Sequence, residues 1–324
     1  MTEHATASFQ LPHPAAVTLT DRQLVRITGP GTDKFLHGQF SQSLEEITSG
    51  RSLRAAACTP KGRAYCLTRL VRDGEDVLLD MPMALAEGIQ NQLRKYLMLF
   101  RGTTMETPEE GRITGLLGQE AAQAISPDAA QLANDGDTLP LPDGYLLRTT
   151  DTVGGLPRYE YWQTGGQAPL PADVPAATLA DWHWSEIAAG VPSLSPASDQ
   201  QYVPQMLNWQ HLQGIHFKKG CYTGQEVIAR MHFLGQLKKS LFRLQSDSAP
   251  KGSVEAGSPV MAGDREAGQV VNCITLDNGQ VAMLAVLRHA NREDTLTLAD
   301  GTPVAIQPLP YPVPEREEAP ASDT

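Results

Sequence analysis

Asp277, Asn278 and Gly279 separate two strand-like apolar runs, AGQVVNCITL (267–276) and QVAMLAVL (280–287). An Asn-Gly or Asp-Gly pair between such runs is the strongest short-range hairpin signal a sequence carries, because these residues accept the positive φ of a tight β-turn. Around it, from Gly235 onward, stand further short strand patterns with turn punctuation, LKKSLFRL (237–244) and LTLADGTPVAI (296–306). Strands this short, antiparallel and closely spaced predict a small antiparallel β-barrel over residues 236–311.

Upstream the pattern mixes both periods. LVRITG (24–29) alternates as a half-buried strand does, and Thr32 or Asp33 can cap a helix that buries Phe35, Leu36 and Phe40. YCLTRLV and DVLLDM flank an Arg72-Asp73-Gly74-Glu75 turn, and Ile89, Leu93, Leu97 and Phe100 fall on one helical stripe. ITGLLG (113–118), a helix around 119–133, YLLRTT (145–150) and PRYEYW (157–162) make a second α+β unit. Proline and glycine crowd 164–175, which predicts a loop before a helix that carries Trp182. The expected organisation is a flexible arm over 1–15, a first α+β lobe over 16–110 and a second over 111–205. A thiol-bearing segment over 206–235, the barrel over 236–311 and a disordered acidic tail over 312–324 follow.

The densest chemistry lies in FKKGCYTGQEVIAR (217–230). A thiolate is the reactive form of cysteine, and nearby cations and a helix N-terminus both favour it. Lys218 and Lys219 precede Cys221, and Val227, Ile228 and Met231 predict a helix from near Thr223. Gly220 and Gly224 permit a tight turn or a close approach to a ligand. The alternative is that Cys221 is a small buried apolar residue beside solvated lysines. His211, His216 and His232 flank the motif, but their spacing matches no metal signature. Lys61-Gly62-Arg63 suits either an anion or a solvated turn. Trp182 shares the more apolar helix face with Leu179, His183 and Ile187, so its indole is either core or a platform for a flat ligand.

At 324 residues, with 41% apolar and 19% charged residues, the composition is that of a globular protein of two or three domains. Cys58, Cys66, Cys221 and Cys273 show no paired spacing, so reduced thiols are expected, with neither disulfides nor a zinc site. No secretory leader or membrane span is legible, which predicts a cytoplasmic location without membrane partners. A net charge of −11 argues against strong direct nucleic-acid binding, although local basic patches such as Lys238–Lys239 remain open. The absence of a P-loop or GxGxxG removes the nucleotide signatures.

KKGCYTGQE (218–226), led by PQMLNWQ and GIHFKKGC, resembles the signature of the YgfZ-type folate-binding proteins, relatives of the glycine-cleavage aminomethyltransferase, or T-protein. RITGPGTDKFLHGQF (26–40), TPKGRAYCLTRLVRDGED (59–76), QNQLRKYLMLFR (90–101), ADWHWSEIAAGVP (180–192), LDNGQV (276–281) and PLPY (308–311) extend the resemblance over most of the chain. It implies an α+β fold of T-protein type, with two α+β lobes and the barrel around a central folate pocket. It also implies tetrahydrofolate as cofactor, Cys221 and Lys219 as catalytic residues, and Trp182, Arg22 and Tyr222 as cofactor contacts. A monomer that partners iron–sulfur enzymes or assembly proteins is expected.

Two departures qualify the resemblance. Arg22 stands where the family has a second folate-contacting tryptophan, and a guanidinium either stacks on a ring or pairs with a carboxylate. In the aminomethyltransferases the strand after Lys61-Gly62 carries an acidic pair that acts on the folate nitrogen, and here Cys66 and Leu67 match it. An aminomethyltransferase of that kind is therefore not expected. The function implied is a folate-binding protein that supports iron–sulfur enzymes and tRNA modification. The alternatives are a folate-dependent one-carbon transferase and a folate-independent iron–sulfur assembly scaffold.

Overall fold

Strands rich in β-branched, leucine and aromatic residues dominate the chain, and they assemble into two open sheets and one closed barrel. The structure, a computed structural model, describes residues 7–165, 173–233, 235 and 237–313. The first six residues of the expected arm, most of the proline- and glycine-rich loop and the acidic ending at 314–324 lie outside the described residues.

The chain opens with β1 (Ala15–Thr18), β2 (Arg22–Thr28) and α1 (Thr32–Gln39), followed by β3 (Leu53–Cys58), β4 (Ala64–Asp73), β5 (Asp76–Pro82), α2 (Ala86–Leu97) and β6 (Thr104–Glu106). Strands β3-β4-β5-β2-β6 form the first sheet in that spatial order. Phe35, Leu36 and Phe40 from the α1 region and Ile89, Leu93 and Leu97 of α2 pack on one of its faces. The stripe expected to continue to Phe100 stops at Leu97. Phe100 lies beyond the helix, where its ring meets Phe35 edge-on at 5.6 Å.

Next come β7 (Arg112–Leu117), α3 (Gln119–Ile125), β8 (Thr138–Leu141), β9 (Gly144–Thr149) and β10 (Arg158–Gln163). The helix expected around 119–133 ends at Ile125 because Pro127 forces Ser126 into an extended conformation; a 3-10 turn, Pro127–Gln131, follows. The second sheet runs β1-β7-β10-β9-β8, so β1 belongs to the second lobe although the chain enters it first. Residues 7–15, expected as part of a flexible arm, are tied down. Ala7 is fully buried and bridges Leu276 of the barrel hairpin, and Ser8 N–H donates to Asp181 Oδ1 at 2.8 Å.

Between the free faces of the two sheets sits α4 (Leu179–Ala188), whose Trp182 packs with Leu24, Val71, Leu78, Ile113 and Leu147. Its start is fixed by a capping box, in which Thr178 and Asp181 each accept a backbone N–H of the other. Its end is fixed by Gly190 at φ +65, a left-handed position that glycine takes without steric cost.

After α5 (Gln225–Phe233), the strands β11 (Lys239–Ser246), β12 (Pro259–Ala262), β13 (Arg265–Thr275), β14 (Val281–Arg288), β15 (Leu296–Leu298) and β16 (Pro303–Gln307) close into a barrel ordered β11-β14-β13-β12-β15-β16. Leu244, Val270, Met283, Ala285 and Leu287 fill its interior. The Asp277–Gly279 turn joins β13 to β14, with Gly279 at φ +82. Among the described residues no helix is long and apolar enough to cross a membrane.

Candidate functional site

A cavity of about 630 Å³ opens where β2, β4 and β5 of the first sheet, β10 of the second, α4 and the barrel strand β13 converge. Arg22 is its organising charge. One guanidinium nitrogen donates to Asp80 Oδ2 at 2.7 Å and lies 3.7 Å from Glu160 Oε1, while the other donates to Glu186 Oε1 at 2.6 Å. Burial alone would lower the Arg22 pKa, but Glu186, Asp80 and Glu160 together raise it above the ordinary guanidinium value. The carboxylates come from three places: Asp80 from β5, Glu160 from β10 and Glu186 from α4.

Two of the three acids are fully engaged. Asp80 Oδ1 accepts from Thr68 Oγ1 at 3.1 Å and from Arg69 N–H at 3.0 Å, and Glu160 Oε2 accepts from Trp162 Nε1 at 2.8 Å. Burial raises the Glu160 pKa, yet the guanidiniums of Arg22 and Arg69 hold it below the usual carboxylate value. Glu186 differs: its Oε1 serves Arg22, while none of the described residues bonds its Oε2.

Arg158 forms another part of the wall. Burial pulls its pKa down to about 10 despite Glu186 and Glu160. Its Nε donates to Ser185 Oγ at 2.8 Å, and its guanidinium carbon lies 4.4 Å over the Trp182 ring. At the rim His183 meets Asp21 at 2.7 Å, a contact that raises the His183 pKa although burial opposes it. A bulge in β13 between Val270 and Asn272 turns the Asn272 amide onto Ser193, closing the barrel side.

Of the catalytic and cofactor-contact residues expected from the sequence, Arg22 alone lines this cavity. Trp182, 1% exposed, is absent from the lining and stands behind Arg158, packed against Gly115. Leu67 lines the cavity where the resemblance puts a carboxylate, while Cys66 is buried in the first sheet's core. Lys61-Gly62-Arg63 forms a turn away from the cavity; Gly62 packs beside Val227 and Arg63 donates to the Gln201 carbonyl. Asp80, Glu160, Glu186 and Arg158 went unnoticed in the sequence, although a carboxylate inside the aromatic strand RYEYWQ is itself a signal, since acids are seldom buried without partners.

Cys221 lies elsewhere, on a loop stitched to the end of α1. His216 N–H donates to the Ser41 carbonyl at 2.9 Å and Thr223 N–H to that of Gly38 at 3.1 Å. The Cys221 side chain is exposed. Lys219 is buried instead: its Nζ donates to the carbonyls of His37 at 2.5 Å and Phe40 at 2.6 Å, and it lies 4.8 Å over the Tyr222 ring. It thus satisfies the orphan carbonyls at the C-terminus of α1. Burial pulls its pKa down to about 7. Tyr222 is buried beneath it, and α5 begins at Gln225, two residues beyond the expected start. His216 pairs with Glu46 at 2.8 Å and His232 stacks on Phe217 at 3.7 Å.

The chain is 29% identical over 326 residues to the tRNA-modifying protein YgfZ of Escherichia coli O7:K1 (strain IAI39 / ExPEC), covering 96% of this chain and 97% of that protein. The same identity and coverage hold for the tRNA-modifying protein YgfZ of Shigella dysenteriae serotype 1 (strain Sd197). Among solved structures, the glycine cleavage system aminomethyltransferase T from Bartonella henselae superposes with a TM-score of 0.74 over 94% of this chain and 87% of that one, at 16% identity. No protein-family model matches the chain. Along its whole length the chain is thus similar to the YgfZ-type tRNA-modifying proteins, and it carries the T-protein fold of two α+β lobes and a C-terminal barrel.

Proposed function

We propose that this chain binds a tetrahydrofolate in the central cavity and supports an iron–sulfur enzyme that modifies tRNA, with Cys221 as the thiol presented to that partner. The observation that carries the reading is the coincidence of whole-length similarity to tRNA-modifying proteins with a charge-lined cavity at the junction of the three units. The cavity's 630 Å³ lies within the roughly 300–1,000 Å³ of ligand pockets. A pterin ring offers an N–H donor edge, which the uncommitted Glu186 Oε2 is suited to accept, and a folate tail carries carboxylates, which suit the guanidiniums of Arg54, Arg69 and Arg158. When bound, tetrahydrofolate supplies nitrogens that carry a one-carbon unit. Arg22 fixes Glu186 toward the cavity, and Leu67 excludes water from the position where a transferase would place its carboxylate. With Asp80 and Glu160 held by other donors, the cavity suits binding better than proton transfer to a folate nitrogen.

The test has two arms. Tetrahydrofolate titrated into the protein should quench tryptophan fluorescence, and Glu186→Gln should weaken binding about tenfold, the equivalent of ~1.4 kcal/mol for a charge-assisted hydrogen bond. In cells that lack the native protein, Cys221→Ser should bind folate normally yet fail to sustain tRNA methylthiolation. Absence of saturable quenching would sink the folate assignment, and full rescue by Cys221→Ser would make the thiol structural.

A further inference from the structure

On the barrel, a second cavity of about 1100 Å³ runs along the outer ends of β11 and β14 beside the segment that carries Leu309 and Tyr311. Five lysine or arginine side chains line it against one carboxylate, Glu293, in a chain whose net charge is −11. That carboxylate is already engaged by Arg292, 3.6 Å away. Lys238, Lys239 and Arg288 form no ion pair with any described residue.

The β11–β14 register sharpens the point. Lys239 stands directly opposite Arg288, and residues so paired in antiparallel strands project from the same face. Like charges in that position destabilise a sheet. Strand alternation puts Leu241 and Arg243 on that face too, while Leu244 turns into the barrel. Lys239 and Arg243 are therefore about 13 Å apart along one strand. Arg243 Nε is fixed by the Pro308 carbonyl at 2.8 Å. Beside this row His289 sits edge-on to Phe242 with ring centroids 6.3 Å apart.

We infer that this groove binds the phosphate backbone of a tRNA. A duplex stem presents about one phosphate charge per 1.7 Å of axis, so the exposed Lys238 and Arg288 and the half-buried Lys239, with Arg243 on the groove floor at 7% exposure, face several phosphates at once. The half-buried His289 imidazole, with the Phe242 ring edge-on behind it, gives a base a surface to stack on, which an acidic peptide does not require. The row is short, so binding is weak and salt-dependent, in keeping with the acidity of the chain as a whole. The inference rests on the proposed tRNA role and supplies its missing contact surface; the folate cavity lies at the lobe junction and shares no lining residue with the groove.

The experiment follows fluorescein-labelled, unmodified tRNA transcript by anisotropy with the full chain at 50 and 200 mM KCl. Three to four phosphate contacts give a slope of about −3 in log affinity against log salt. Lys239→Glu should weaken binding at least fivefold and reduce that slope by about 1. It sets an opposite charge across from Arg288, so the thermal midpoint should hold or rise, which separates lost binding from lost folding. Unchanged affinity in Lys239→Glu would overturn the inference. So would equal competition by a polyglutamate peptide at matched charge, which would assign the groove to an acidic protein. Tetrahydrofolate titration of the same variant should match the parent. Failure of the groove therefore leaves the folate reading standing, and failure of folate binding in the parent leaves the tRNA titration readable.

Discussion

Cys221 is exposed, whereas Cys58 and Cys66 are buried and Cys273 is half-buried. Burial raises the thiol pKa of Cys58 and Cys66 and pushes that of Cys273 up to about 11, all away from the reactive thiolate. Brief iodoacetamide treatment at pH 8 should therefore label Cys221 first, with the other three following only on unfolding; peptide mass spectrometry reads the order. Lys219 gives a pH signature. The unfolded chain keeps its proton up to the ordinary 10.5, while the folded chain releases it from about 7. Between these values the unfolded state binds more protons, so stability rises with pH. The thermal midpoint of the parent, measured against Lys219→Met, should gain from pH 7 to pH 10; a flat difference would mean that Nζ stays charged at its two carbonyls. The Cys221 motif was legible because its residues are consecutive. The Arg22 cluster was not, because Asp80, Glu160 and Glu186 are each unremarkable alone and become a set only when β5, β10 and α4 meet. The sequence named Lys219 as a charge beside the thiol; the fold turns its Nζ onto α1 because the loop passes over that helix's unsatisfied carbonyls.

At the scale of elements, β7 and α4 meet in a close seam behind the cavity wall. A β-carbon added at Gly115 would stand 2.4 Å from Trp182 Cε3, too close for either ring or strand to stay in place. Gly115→Ala should cost about 2 kcal/mol by urea denaturation, within the range for overpacked cores. It should also disturb Arg158, which rests on that indole. A null effect would show that the seam is looser than the 2.4 Å approach implies. The barrel was readable from the Asp277–Gly279 turn and from strand alternation, both local signals. The break in α3 was also present locally, at Pro127, but the apolar residues beyond it mimicked a continuing helix. Nothing local marks β1 as a strand of the second sheet, since its partner β7 lies roughly a hundred residues away and only tertiary pairing joins them.

Across the whole molecule, the two lobes are pinned by Asp135, from the loop before β8. It accepts from Arg54 on β3, from Arg69 Nη2 on β4 at 2.7 Å and from Thr150 Oγ1 at 2.6 Å. Burial raises its pKa, but Arg54 and Arg69 hold it well below the ordinary carboxylate value. The stability this contributes is fully present above the unfolded aspartate pKa and is lost as pH falls through the depressed folded value. Asp135→Ala strands two buried guanidiniums and should cost about 3 kcal/mol in chemical denaturation, with the acid transition flattened. A loss under 1 kcal/mol would mean that the Gly136 and Thr138 backbone bonds to Ser52 and Gly50 join the lobes unaided. The entry of β1 into the second sheet also sets an order of events at the ribosome. The first sheet has all five of its strands once Glu106 has emerged, but β1 must wait for β7, and Ala7 must wait for the hairpin at Leu276. At about 5–20 residues per second, the leading strand remains unpaired for roughly 5–20 s. Ala7 and β1 are thus made long before the partners they dock against, so a fusion placed next to them meets the molecule during its final assembly.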